Sequence, residues 1–309
     1  MKPWIRVVGL LLCVWQAGVL AAFDDGRAEV NVRVGDLQVP YRVFAWFAMP
    51  GEAVPITLPS PDFALLAGAG ELRASGDGWL WKHHKPGGPY VLKVMQHGRE
   101  LMRLNMFIKT PARQVRADGQ LDGYRIGKYP ERPLKGLSIY KVPPGFVAVT
   151  PENADTRISP HFTLGQFVSK QGRRIPGYLV LRPRLLLKLE LVLQVLNAHG
   201  VQADRLTIMS GYRTPFYNHA IGNVKYSRHV WGGAADVYVD VSPRDGIMDD
   251  LNGDGRSDLE DARWLARLVD QRFREPDASH LAGGLAAYRA NAAHGPFVHM
   301  DVRGTRARW

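Results

Sequence analysis

Two segments with strict two-residue alternation constrain this fold more than any other part of the chain. Ala235, Val237, Val239 and Val241 alternate with Asp236, Tyr238 and Asp240; later, Val298, Met300 and Val302 alternate with Phe297, His299 and Asp301. A period of two sends each set to its own face of a strand, so the apolar sets face a core and the polar sets face the other way. Asp236 and His299 are thus each carried on the polar face of a strand. His229 lies just upstream of Asp236, with Gly232 and Gly233 between them. Glycines permit the tight reversal that turns a loop histidine toward the strand that follows. Two imidazoles and a carboxylate make an open three-ligand set, the donor pattern of a zinc site that keeps its fourth position for water.

Further motifs surround these ligands: SPHFTLGQF (Ser159 to Phe167), SGYRTP (Ser210 to Pro215), SRHVWGGAADV (Ser227 to Val237) and HGPFVHMD (His294 to Asp301). Together they resemble the signature of peptidase family M15, the zinc D-alanyl-D-alanine carboxypeptidases and related murein endopeptidases. The resemblance spans about Asp155 to Trp309 and implies zinc ligation by His229, Asp236 and His299. It also implies that Arg213 holds a substrate carboxylate or the developing oxyanion, and that His294 assists as proton donor or transition-state stabiliser. Their chemistry suits those roles, since arginine presents a planar charged fork and histidine exchanges a proton near neutral pH. Some members place a glutamate base three residues before the last histidine; here that residue is Pro296. Asp301, His294 or a carboxylate from elsewhere must then take the proton. Asp301 equally fits as the partner that orients His299 through its second ring nitrogen.

Residues 1–21 read as a secretory signal, with Lys2 and Arg6 ahead of an apolar run and Val19-Leu20-Ala21 at the cleavage position. Cys13, the single cysteine, lies within that segment, so the mature chain has no disulfide and no thiol ligand. A periplasmic or secreted protein is expected. The formal net charge of +11 falls to +9 when Lys2 and Arg6 are removed. That balance favours acidic partners. No basic stripe interleaved with aromatics is present, which argues against nucleic acid; peptidoglycan stems and an anionic membrane or cell-wall surface fit better.

Asp250 to Asp261 reads DLNGDGRSDLED. As a twelve-residue loop it offers Asp250, Asn252, Asp254, the Arg256 carbonyl, Asp258 and Asp261 at the oxygen positions of an EF-hand, with Gly255 at the sharp turn. A structural calcium ion in an insertion over 242–261 is expected. Leu179 to Leu196 reads as a buried helix beginning near Arg182-Pro183, which makes the region 155–309 an α+β domain with helices on a small, mainly antiparallel sheet. Residues 22–112 show short alternating strands between turn clusters, an all-β pattern of immunoglobulin-like type, with Trp79 and Trp81 as core residues. A Gly- and Pro-rich connector, 113–154, keeps enough apolar residues to pack as a strap. The functional expectation is a zinc metallopeptidase cutting peptidoglycan peptides; the alternative is a metal-stabilised cell-wall binding protein without turnover.

Overall fold

The computed structural model describes residues 23–172 and 175–309; the segment 1–21, expected to be a signal, lies outside them. Nine strands come first: β1 (Arg27–Val34), β2 (Leu37–Tyr41), β3 (Val43–Ala48), β4 (Val54–Thr57), β5 (Ala64–Ala67), β6 (Glu71–Ser75), β7 (Gly78–Lys82), β8 (Gly87–Gln96) and β9 (Arg99–Ile108). They form two sheets, of order β2-β1-β4-β7-β6 and β3-β9-β8-β5, in which only β3 and β9 run parallel. Alternation decides burial. Val30, Val32 and Val34 of β1 are buried while Asn31 and Arg33 face solvent. Leu92 opposes Leu104, and Val94 opposes Met102, across the β8–β9 hairpin. Trp81 is fully buried, and its indole N–H donates to the Ala69 carbonyl at 2.9 Å.

Between Thr110 and Leu179 the strands are short: β10 (Thr110–Pro111), β11 (Gln120–Leu121), β12 (Tyr124–Arg125), β13 (Gly145–Val149), β14 (Arg157–Ser159), β15 (Phe162–Thr163) and β16 (Gly177–Leu179). β13 binds this region together by pairing with β10 on one side and β16 on the other. α1 (Pro183–Ala198) follows, with proline at its first turn and Leu185, Leu186, Leu189, Leu193 and Leu196 buried. Proline suits that position, because the first-turn N–H it lacks has no helical acceptor.

The last sheet contains β17 (Thr207–Ser210), β18 (Ala234–Tyr238), β19 (Gly284–Tyr288), β20 (Phe297–Asp301) and β21 (Ala307–Arg308), in the order β17-β18-β20-β19-β21. Every pair is antiparallel except β19 with β21. α2 (Pro215–Ala220) lies between β17 and β18, and α3 (Leu259–Arg272) packs on β19 and β20. β18 stops short of the sequence alternation, which runs on to Val241. The Asp249 carboxylate accepts the N–H groups of Val241 (3.0 Å) and Ser242 (3.2 Å) and so replaces strand pairing there. Most buried apolar residues from Val30 to Val302 belong to one continuous core, and Tyr140, Val230 and Trp231 form a second, smaller cluster.

A buried polar contact joins the start of the described chain to α1. Glu190, fully buried, accepts the His161 N–H at 2.9 Å and faces its Nδ1 at 2.6 Å, while Nε2 faces the Asp24 carbonyl at 3.0 Å. Burial opposes charge on His161, but the Glu190 carboxylate outweighs it and raises the pKa above the ordinary 6.5. A raised histidine contributes stability that is complete below its unfolded pKa and disappears as pH rises through the folded one. His161→Gln should therefore cost about 3 kcal/mol at about pH 5.5. Urea titrations up to about pH 9 should show the gap to wild type narrowing; a gap constant across that range would mean the ring is not charged.

Candidate metal centre

His229 sits on a one-turn 3-10 segment, Arg228–Trp231, that ends at Gly232 with φ of 63°. A Cβ at Gly232 would lie 2.1 Å from the Val180 carbonyl oxygen, so no other residue closes this turn without displacing backbone. The chain then enters β18. Its register with β20 places Asp236 directly opposite His299, and its register with β17 places Asp236 opposite Ser210. One sheet face thereby gathers Asp236 and His299, and the turn lowers His229 onto them.

The Nδ1–H of His229 donates to the Gly211 carbonyl at 2.7 Å, which leaves Nε2 as a bare lone pair. That Nε2 lies 3.1 Å from Asp236 Oδ1 and 3.2 Å from His299 Nδ1, and the last two atoms are 2.8 Å apart. His299 turns Nε2 toward Asp301 Oδ2 at 3.5 Å. With its proton on that side, Nδ1 presents a second lone pair to the centre. Three electron-pair donors thus converge, all buried. A tetrahedral ion with bonds near 2.0 Å needs ligand atoms about 3.3 Å apart, close to the spacing found. The donor set fits zinc in number, kind and distance. Among the described residues, no other trio of His, Cys, Asp or Glu converges in this way.

Charge is arranged around the trio. Burial would raise the Asp236 carboxyl, but His229 and His299 beside it hold its pKa far below the usual carboxylate range. Burial pushes His229 down, whereas hydrogen bonds to Asp236 and Asp301 overcome burial at His299 and raise it. Arg213, implied by the resemblance to grip substrate, donates from Nη2 to Asp236 Oδ2 and from Nε to Ser210 Oγ at 2.8 Å. It also lines the cavity over the site, but that edge of its guanidinium is committed to Asp236.

Asp301 is fully buried. It accepts the N–H of Gly284 at 2.8 Å and takes Arg303 Nε and Nη2 at 2.9 and 2.5 Å on Oδ2. These contacts hold its carboxylate in place beside His299 Nε2, where it can orient that ring. Behind it, the buried Lys188 amine donates to the Asp301 carbonyl at 2.9 Å, and burial brings its pKa down to about 7.

The cavity has a volume of about 820 Å³. Asp236 is the one acidic side chain among the described residues lining it, and Asp301 does not line it. His294 stands at its rim, with Nδ1 facing the Gly295 carbonyl at 2.8 Å and Nε2 facing Asn291 Nδ2 at 2.9 Å. Three contributors were not singled out from sequence: Tyr140, Arg228 and Arg303 also line this space. Arg228 adjoins His229 in the chain, so its neighbour carried the one available signal.

The connector holds the histidine turn from behind. Tyr129 donates to the Val230 carbonyl at 2.9 Å, and the Trp231 indole donates to the Lys141 carbonyl at 3.0 Å. Arg182 bridges the Ile139 carbonyl at 2.9 Å and the Trp231 carbonyl at 3.2 Å.

In the loop 250–261 the acidic side chains satisfy backbone N–H groups. Asp250 accepts from Gly253 at 2.8 Å and Gly255 at 2.7 Å, and Asp254 accepts from Arg256 at 2.9 Å. Asn252 accepts from Asp254 at 2.8 Å. Asp258 caps α3 through Glu260, while Asp261, fully buried, accepts from Leu251 and Asp258.

No curated protein and no solved structure matches the chain. The family model described as Peptidase M15 matches residues 160–252. That stretch contains Arg213, His229 and Asp236 but stops before His294 and His299, which the β18–β20 register brings alongside. Over residues 160–252 the chain is accordingly similar to the M15 peptidases.

Proposed function

We propose that this protein hydrolyses peptidoglycan stem peptides in the bacterial envelope, as a zinc-dependent D,D-carboxypeptidase or murein endopeptidase. The observation that carries the proposal is the convergence of two imidazole lone pairs and a carboxylate under a cavity whose other charged lining is cationic. A zinc ion held by His229, Asp236 and His299 would supply Lewis acidity toward water and the scissile carbonyl. The remaining work falls to the chain. Asp301 keeps the proton of His299 on Nε2, and Arg213 holds Asp236 with one oxygen turned to the centre. Asp236 is occupied as a ligand, so His294 is the residue at the rim suited to carry the proton once its hydrogen bond to Asn291 opens. Export by the signal at 1–21 would bring the protein to such a substrate, and its net positive charge suits anionic wall or membrane surfaces.

Mass spectrometry of murein peptides incubated with the mature protein, with and without zinc, tests this reading. Loss of one terminal alanine from pentapeptide identifies a carboxypeptidase, and conversion of dimers to monomers identifies an endopeptidase. Unchanged peptides in the presence of bound zinc would transfer the protein to the non-catalytic wall-binding class.

Two structural assignments belong to the same proposal. The N-terminal sheets read as an immunoglobulin-like sandwich, with β1-β4-β7-β6 in the places of strands A-B-E-D and β5-β8-β9 in those of C-F-G. Asp250, Asn252, Asp254, the Arg256 carbonyl, Asp258 and Asp261 read as a structural calcium loop, supported by their spacing and by the Gly255 turn. Asp254→Ala should lower the melting temperature in calcium by several degrees and leave it unchanged in chelator. An equal drop in both would assign Asp254 to loop packing alone.

A further inference from the structure

Arg228 is 2% exposed and lines the same cavity as the metal trio. Its Nη1 donates to the Ile139 carbonyl at 3.2 Å, and its plane lies over the Tyr140 ring at 4.9 Å. Its Nε and Nη2 are buried without a protein acceptor. Those two nitrogens form one edge of the guanidinium, the edge whose parallel N–H groups match the two oxygens of a carboxylate. In the other two arginines lining the cavity that edge is filled: Arg213 places it on Ser210 and Asp236, and Arg303 places it on Asp301. Only at Arg228 does the fork lack its acid. Arg182 and Arg303 stand close by, and the Asp301 carboxylate near Arg228 is already held by the Arg303 fork. Burying a cation with unmet donors is costly, and a fold that keeps one at the wall of its site gains when a ligand brings the missing acceptor.

We propose that Arg228, with Arg303 beside it, forms an anion subsite for a second carboxylate of the substrate, away from the scissile carbonyl. The inference rests on the stem-peptide reading and narrows it: preferred substrates carry a free carboxylate on a residue other than the terminal one, and amidation there removes the preference.

The test uses the zinc-loaded full chain and stem peptides made non-hydrolysable at the scissile bond. Each non-terminal carboxylate is converted in turn to a carboxamide, and Kd is measured by titration. One conversion should weaken binding by about 10- to 100-fold, as expected for loss of a charge-assisted bidentate contact. In Arg228→Met that loss should vanish, with the variant's melting temperature at or above wild type because an unpaired buried cation has been removed. Arg228→Lys, which keeps the charge and lacks the fork, should show a reduced loss and serves if the methionine variant does not fold. Equal affinity of wild type for all the peptides, or a loss that persists in both variants, overturns the subsite. Because Kd is read without turnover, an affinity difference with no cleavage of the parent peptide would sink the peptidase reading and leave the subsite standing.

Discussion

His299→Ala should yield a protein without stoichiometric zinc whose activity on murein peptides is lower by at least about a thousandfold. The substitution removes the donor on β20 and leaves His229 and Asp236, too few to hold the ion against chelation. Three atoms now within 3.2 Å of one another become two, and the remaining pair has no third corner to close the site. Metal-to-protein ratios from plasma mass spectrometry, taken with circular dichroism as a control for folding, give a direct reading. A folded variant that keeps one zinc per chain would remove His299 from the ligand set. His229→Ala should behave alike. Asp301→Asn, which loosens the support of His299 without deleting it, should weaken zinc binding by about 10- to 100-fold.

Arg213→Ala should destabilise the metal-free protein by about 3–5 kcal/mol and the zinc-loaded protein by less. Asp236 is 3% exposed, and its Oδ2 is held by Arg213. Removing the guanidinium strands a buried carboxylate whose pKa lies below its unfolded value. Such a group contributes stability above the unfolded pKa, so the effect is full at neutral pH and fades only as acid protonates the carboxylate. Bound zinc supplies compensating positive charge on the other oxygen, which reduces the loss. Urea unfolding in chelator and in zinc measures both quantities. Equal losses, or no loss in chelator, would show that Arg213 serves the substrate and not Asp236.

The sequence exposes the ligands because alternation and spacing are local properties. A half-buried strand must alternate, so β18 and β20 are visible in Ala235 to Val239 and in Val298 to Val302. The β8–β9 hairpin is visible for the same reason. What sequence hides is pairing between distant segments. That Asp236 lies opposite both His299 and Ser210 follows from register in the assembled sheet, and that register turns Arg213 onto Asp236. The end of β18 is hidden likewise, since a side chain, Asp249, competes for the backbone there. Two supports of the His229 turn are carbonyls, of Ile139 and Lys141, and a carbonyl has no residue type to announce it.

Those carbonyls bear on how such a domain can be inherited. A gene fragment starting at Asp155 would encode all three ligands and the whole matched stretch 160–252. It would nevertheless lack Tyr129, Ile139 and Lys141, the groups that Val230, Arg182 and Trp231 hold on to. The chemistry is therefore not a portable cassette. Duplication or shuffling that kept the ligands but changed the upstream partner would have to carry the strap along, so boundary mapping by ligand motifs alone would cut through the wall of the site.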